Sequence, residues 1–185
     1  MNKKKLILTS GAANIFEWYD YVLFGHFAPI IGANFFPDSD PKTSLLEAFL
    51  VFAIGYLMRP VGGIVFGMIG DKFGRRTALS SAMIVMAFPT AAIAFLPTYK
   101  DIGIAATILM VIIRMTQGFS MGGAVTGSMS FIIEHTEKKY RGLFGSIPMF
   151  CICIGILLGS VISYFTKFFL AEEAFYQWGW RTPFL

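Results

Sequence analysis

Four ionisable side chains lie inside stretches of sequence apolar enough for a membrane interior: Glu17 and Asp20 in the first, Arg59 in the second and Arg114 in the fourth. On insertion scales a charge at the centre of a spanning helix costs ~2.5–3.5 kcal/mol, so four facing lipid would cost roughly 10–14 kcal/mol. They must pair or line a wet cavity. Glu17 and Asp20 are three residues apart and share one helix face, with Tyr21 one turn beyond Glu17. At a rise of ~1.5 Å per residue, Glu17 and Arg59 lie at one depth, roughly 16 Å from the same surface, and the long side chain of Arg114 reaches the level of Asp20. The expectation is two acids facing two guanidiniums at mid-membrane. Such pairs can simply hold helices in register. Alternatively, a carboxylate between low dielectric and a neighbouring Arg changes protonation as a cavity opens to either side, which couples a proton to a solute. Glu17 is the first candidate for the proton site and Asp20 the second, while Arg59 and Arg114 stay charged and hold a carboxylate of the protein or of a substrate.

The elements that carry these residues are legible in the composition. The chain has 185 residues, 56% hydrophobic and 14% charged, and its apolar residues form long unbroken runs rather than stripes. Runs at 6–31, 45–69, 77–96, 102–133 and 143–165 each match the thickness of a ~30 Å hydrocarbon core, and a sixth starts near 178. These predict an all-α membrane protein of five transmembrane helices plus the start of a sixth, with no separate soluble domain in residues 1–185. The start, Lys3 to Lys5 followed by apolar residues, has the outline of a secretory signal peptide, but Glu17, Trp18, Tyr19 and Asp20 follow in a run that stays apolar to Ile31. That run is long enough to span.

Lys and Arg are distributed unequally. Lys3, Lys4, Lys5, Lys72, Arg75, Arg76, Lys138, Lys139 and Arg141 fall on one side, whereas Lys42, Lys100, Lys167 and Arg181 fall on the other. Cytoplasmic loops collect positive charge, so the amino terminus is predicted to be cytoplasmic. The net charge of +4 comes from these scattered loops and forms no basic face for nucleic acid. Cys151 and Cys153, two apart, match neither zinc spacing nor a disulfide and read as packing residues. Neither a metal-ligand cluster nor a nucleophile-and-base set appears, which argues against an enzyme.

Interior prolines Pro60, Pro89 and Pro148 predict bends that a membrane helix tolerates. Glycine pairs four apart, Gly63 and Gly67, Gly118 and Gly122, Gly123 and Gly127, Gly155 and Gly159, allow close helix contact. Among the aromatics around the acids, Tyr21 foremost can box an ammonium group by cation–π contact, most of the others being lipid-facing or packing residues. His26, nearer the outer end, reads as a packing or interfacial residue.

The loop after the second run reads Gly67-Met-Ile-Gly-Asp71-Lys72-Phe-Gly74-Arg75-Arg76. Its glycines permit a tight turn, Asp71 can meet a helix amino end or an Arg, and the basic residues hold the cytoplasmic face. It resembles the signature loop of the major facilitator superfamily. Arg114-Met-Thr-Gln117-Gly118-Phe-Ser-Met-Gly122-Gly123 is similar to that superfamily's fourth-helix motif, whose Arg is associated with proton coupling. Glu17-Trp18-Tyr19-Asp20, Arg59-Pro60-Val-Gly62-Gly63, Arg141-Gly142 and Trp180-Arg181-Thr-Pro183-Phe184-Leu185 resemble the metabolite:proton symporters, and among them the proline/betaine transporters.

The resemblance runs over essentially the whole chain. It implies an inner-membrane symporter that imports a small zwitterion or organic acid with protons, using the proton gradient and no cofactor, by alternating access of two six-helix halves. It further implies proton coupling at Glu17, Asp20 and Arg114, a substrate cavity at Tyr21, Arg59 and Gln117, and a cytoplasmic gate of Gly67, Asp71, Lys72, Gly74, Arg75, Arg76, Glu134 and Arg141. Family members usually carry a Glu after the paired glycines of the fourth span, where this chain has Ala124 followed by Val125. They also have twelve spans, so the chain corresponds to an amino-terminal bundle whose partner is the missing carboxy-terminal half. Either it works with that half or it is a non-transporting remnant, with a self-assembled channel as a weaker third reading.

Overall fold

In lipid a backbone has no water to bond, so long apolar runs satisfy their amides internally as helices. The computed structural model describes residues 3–37, 40–134 and 136–185, with the side chains of 3–10, 123–127, 130 and 131 outside the description, and it is helical along nearly all of that length. The order is α1 (Lys3–Phe35), α2 (Pro41–Leu57), α3 (Arg59–Phe73), α4 (Arg75–Phe95), α5 (Tyr99–Ile102), α6 (Ile104–Glu134), α7 (Arg141–Gly145), α8 (Ile147–Phe169) and α9 (Glu172–Gln177). Three-residue and six-residue 3₁₀ segments, Lys138–Tyr140 and Gly179–Phe184, precede α7 and follow α9.

Local chemistry sets the ends. Pro41 opens α2, where its missing amide hydrogen costs nothing. Gly74 takes φ 92° between α3 and α4, a conformation open mainly to glycine. Thr98 and Asp101 form a capping box at the start of α5, with the Asp101 carboxylate accepting from the Thr98 hydroxyl and amide at 2.8 Å each. The hydroxyl first and the amide second hold this exposed carboxyl below its ordinary range.

Four segments among the described residues are long and apolar enough to cross a membrane: Pro41–Phe73, Arg75–Phe95, Ile104–Gly122 and Lys138–Phe169. α1, with 33 residues, is about 50 Å long, yet its middle carries Asn14, Glu17 and Asp20 and is less apolar. Where a sixth span is expected to start, Gly179–Phe184 forms a 3₁₀ segment folded against α4 and α8. The prolines divide. Pro60 follows a break at Met58 that splits the second run into α2 and α3, Pro89 and Pro29 sit within unbroken helices, and Pro148 lies in the first turn of α8, not its interior.

α1 lies between α8 on one side and α2 and α6 on the other, and α6 is flanked by α2, α3 and α4. The main apolar core fills the end where α1 and α4 finish and α6 begins, around Phe27, Ile31, Phe35, Ile93, Met110 and Trp180. Elsewhere the helices meet through glycine. A Cβ on Gly118 would overlap the Gly55 carbonyl oxygen, one on Gly122 the Arg59 carbonyl, and one on Gly62 the Phe119 carbonyl. On the other side a Cβ on Gly155 would come within 2.5 Å of the Ile15 carbonyl, and one on Gly159 within 3.0 Å of the Tyr19 carbonyl. Small residues thus bring backbones together where lipid gives no hydrophobic drive between helices.

Gly118→Ala should therefore destabilise the bundle by about 1–3 kcal/mol through forced helix separation. Gly67, which has nothing within 4 Å of its Cβ position, tolerates Ala. Thermal unfolding of both variants in detergent checks this, and equal midpoints would refute the close approach. Cys151 is buried beside Gly11, but Cys153 faces outward, so only the first is a packing residue inside the bundle. The reason is the roughly 200° rotation between positions two apart on a helix.

Candidate functional site

The α1 face that looks into the bundle carries Asn14, Glu17, Asp20 and Phe24 in succession, all 1% exposed or less. Three-and-four spacing places them in one row. Opposite lies α6, whose Arg114 and Gln117 are also buried. Arg114 Nη1 donates to Asp20 Oδ2 at 3.1 Å, and its guanidinium carbon lies 3.6 Å from the centre of the Phe24 ring. A planar cation is thus held by a carboxylate at its edge and an aromatic face below, an arrangement for which Arg is suited and Lys is not. Gln117 Nε2 donates to both Asp20 oxygens, at 3.2 and 3.1 Å, and to Thr90 Oγ1 at 2.8 Å, which ties α4 into the same cluster. Nearer the amino end of α1, Asn14 Nδ2 donates to Ser128 Oγ at 3.0 Å.

Glu17 differs from its neighbour. Its side chain is wholly buried, and neither carboxylate oxygen has a hydrogen-bond partner among the described residues. The expected Glu17–Arg59 ion pair is corrected: among the described residues no nitrogen of Arg59 lies within 4 Å of a Glu17 oxygen. Arg59 turns instead toward aromatic faces. Its guanidinium carbon is 4.3 Å from the Tyr56 ring centre, 5.1 Å from Tyr21 and 6.0 Å from Trp18, and Nη2 meets Met121 Sδ at 3.4 Å. The Met58 break and the close approach of Gly122 fix where this side chain leaves the backbone, beside the rings rather than in an ion pair with the acid.

At the other end of α3 the loop residues converge. Asp71 accepts from Arg75 Nη2 at 3.2 Å, and Arg75 Nε lies 3.9 Å from Glu134 Oε1 at the end of α6. All three are partly or largely exposed, so the pairs contribute at most ~1 kcal/mol each. Lys72 and Arg76 are exposed, Gly74 makes the turn, a Cβ on Gly67 would meet only open space, and Arg141 Nε donates to the Thr136 carbonyl at 3.2 Å. One loop therefore joins α3, α4 and α6 at the surface.

A family profile described as "Sugar (and other) transporter" matches residues 6–185. The chain belongs to this transporter family of the major facilitator superfamily. It is 38% identical over 181 residues to the proline/betaine transporter of Salmonella typhimurium, covering 98% of this chain and 36% of that protein. It is likewise 38% identical, over 98% of its length, to the glycine betaine/proline/ectoine/pipecolic acid transporter OusA of Dickeya dadantii, again 36% of that protein. The chain thus spans little more than a third of the length of these relatives. In fold it superposes on the proton:xylose symporter XylE with a TM-score of 0.87 at 21% identity, over 98% of this chain and 41% of that one. The inward-open conformation of XylE from E. coli gives 0.85 at 20%, over 99% and 44%.

The chain is accordingly a multi-pass membrane protein of the major facilitator type, and its relatives are carriers rather than enzymes. Sequence reasoning missed four members of its charge cluster: Asn14, which the three-residue spacing to Glu17 could have flagged, and Thr90, Ser128 and Tyr56, which stand on other helices and carry no local signal. His26 is exposed, with Nε2 3.4 Å from Ser160 Oγ, so it lies at a helix contact facing outward. The side chains of Lys3 to Lys5, Gly123, Ala124, Val125 and Gly127 lie outside the described residues.

Proposed function

We propose that this chain is the amino-terminal bundle of a proton-coupled symporter that imports a small zwitterion such as proline or betaine across the inner membrane. Five spans, α1, α2 with α3, α4, α6 and α8, carry it, residues 179–184 lead into a sixth, and the amino terminus is cytoplasmic. The observation that carries the reading is Glu17: a wholly buried carboxylic acid without a hydrogen-bond partner among the described residues, one turn from the Asp20–Arg114 pair. A purely structural acid at this depth would be bonded, as Asp20 is. A group that must take up and release a proton while the site opens to alternate sides is served by having no fixed partner.

In this reading Glu17 carries the proton, and Asp20, Arg114 and Gln117 set the geometry beside it. Arg59 and Tyr21 face the solute, and Asp71, Arg75 and Glu134 act at the cytoplasmic gate. The proton gradient supplies the driving force. The test is uptake of radiolabelled proline and glycine betaine by cells lacking their own osmolyte carriers, expressing the chain together with a carboxy-terminal half. Accumulation should require both parts and collapse when a protonophore is added. Accumulation that survives the protonophore would remove proton coupling, and absence of uptake with every half supplied would leave the remnant.

A further inference from the structure

We infer that Trp18, Tyr21 and Tyr56 form a cation cage of which Arg59 is the resident occupant, and that a solute's quaternary ammonium group displaces it. This rests on the zwitterion reading of the same site and adds to it the chemical class that fits and the residue that must leave. The three rings surround one point rather than stacking on one another. Trp18 and Tyr21 have centres 5.5 Å apart with planes inclined at 58°, Tyr21 and Tyr56 are 6.4 Å apart at 56°, and Phe52 backs Tyr21 at 4.2 Å. All three lie within the ~6 Å at which a cation is drawn to a ring face.

The occupant is loosely bound. Among the described residues Arg59 has no carboxylate within 4 Å, its Nε has no hydrogen-bond partner, and its one directed contact is the Met121 thioether. Displacing it therefore breaks no ion pair. Tyr56 is 53% exposed, so one wall of the cage stands at the open side. A molecule carrying both charges compensates the exchange within itself: its ammonium takes the ring faces, and the freed guanidinium takes its carboxylate through two parallel hydrogen bonds. A lone cation expels Arg59 and gives it nothing to bind. A primary ammonium loses hydration that ring faces do not replace by hydrogen bonds, so the cage favours small carboxylates with a permethylated ammonium.

The full chain in lipid nanodiscs is titrated with tetramethylammonium and, separately, with glycine betaine, and binding is read by saturation transfer to the ligand methyl protons. Tyr56→Leu should weaken both ligands roughly 10-fold, about 1.4 kcal/mol, while Tyr56→Phe keeps the ring and the affinity. Arg59→Gln should tighten tetramethylammonium by roughly the same factor, because the competitor is gone, and weaken glycine betaine, because the carboxylate partner is gone. That opposite movement is the signature of displacement, since damage to the fold would lower both. Unchanged or weaker tetramethylammonium binding in Arg59→Gln, or unchanged binding in Tyr56→Leu, overturns the inference. Binding with this signature but no uptake upholds the cage and removes the transport reading. Proline uptake without ammonium binding does the reverse.

Discussion

Glu17→Gln in a full-length carrier is expected to abolish proton-driven accumulation of solute while leaving exchange of solute across the membrane partly intact. Glutamine has nearly the shape of the protonated acid but cannot release a proton, so it mimics one protonation state and forbids the other. The substitution breaks no hydrogen bond among the described residues, because neither Glu17 oxygen has one, and so removes function without removing a structural contact. Each pH unit across the membrane can sustain roughly tenfold accumulation per proton, so the ratio of internal to external solute should fall from tens toward one. Accumulation equal to that of the parent carrier would exclude Glu17 as the coupling acid. Exchange, measured as loss of preloaded label into unlabelled solute, reports whether the site still binds.

The second large effect is expected at Arg114. Arg114→Lys keeps the charge but loses the plane that lies on Phe24 and the reach that places Nη1 3.1 Å from Asp20, and uptake should drop to background. Arg114→Gln leaves Asp20 buried without its cation, which costs about 3–5 kcal/mol and should deplete folded protein. The combination Asp20→Asn with Arg114→Gln removes both charges at once, so detergent-solubilised protein and its unfolding midpoint should recover, whereas uptake should not. If the double variant transports, the pair is only a register lock. This separates the two readings that charge alone leaves open, since both require the residues to be there.

Several features were written in the chain itself. Glu17 and Asp20, three apart, had to share a face, the apolar runs had to be helices, and the glycine-rich loop ending in Arg75 and Arg76 had to turn at a membrane surface. Each is a property of local spacing or of the cost of charge in lipid, and neither needs a partner to be known. The pairs of glycines four apart announced close contacts on α6 and α8, but not that Gly118 lies against Gly55 or Gly155 against Ile15.

What required the tertiary structure was which acid meets which arginine. Depth along each helix made Glu17 and Arg59 a match, because depth is all that counting residues can supply. The rotation of one helix about its axis, the break at Met58, and the backbone approach set by Gly118 and Gly122 then aimed Arg114 at Asp20 and Arg59 at the rings of Tyr56, Tyr21 and Trp18. Those quantities depend on side chains from three helices packed together. The sequence by itself therefore determined that buried charges exist and must be compensated, whereas packing between distant segments decided that, among the described residues, one acid is paired and the other makes no hydrogen bond.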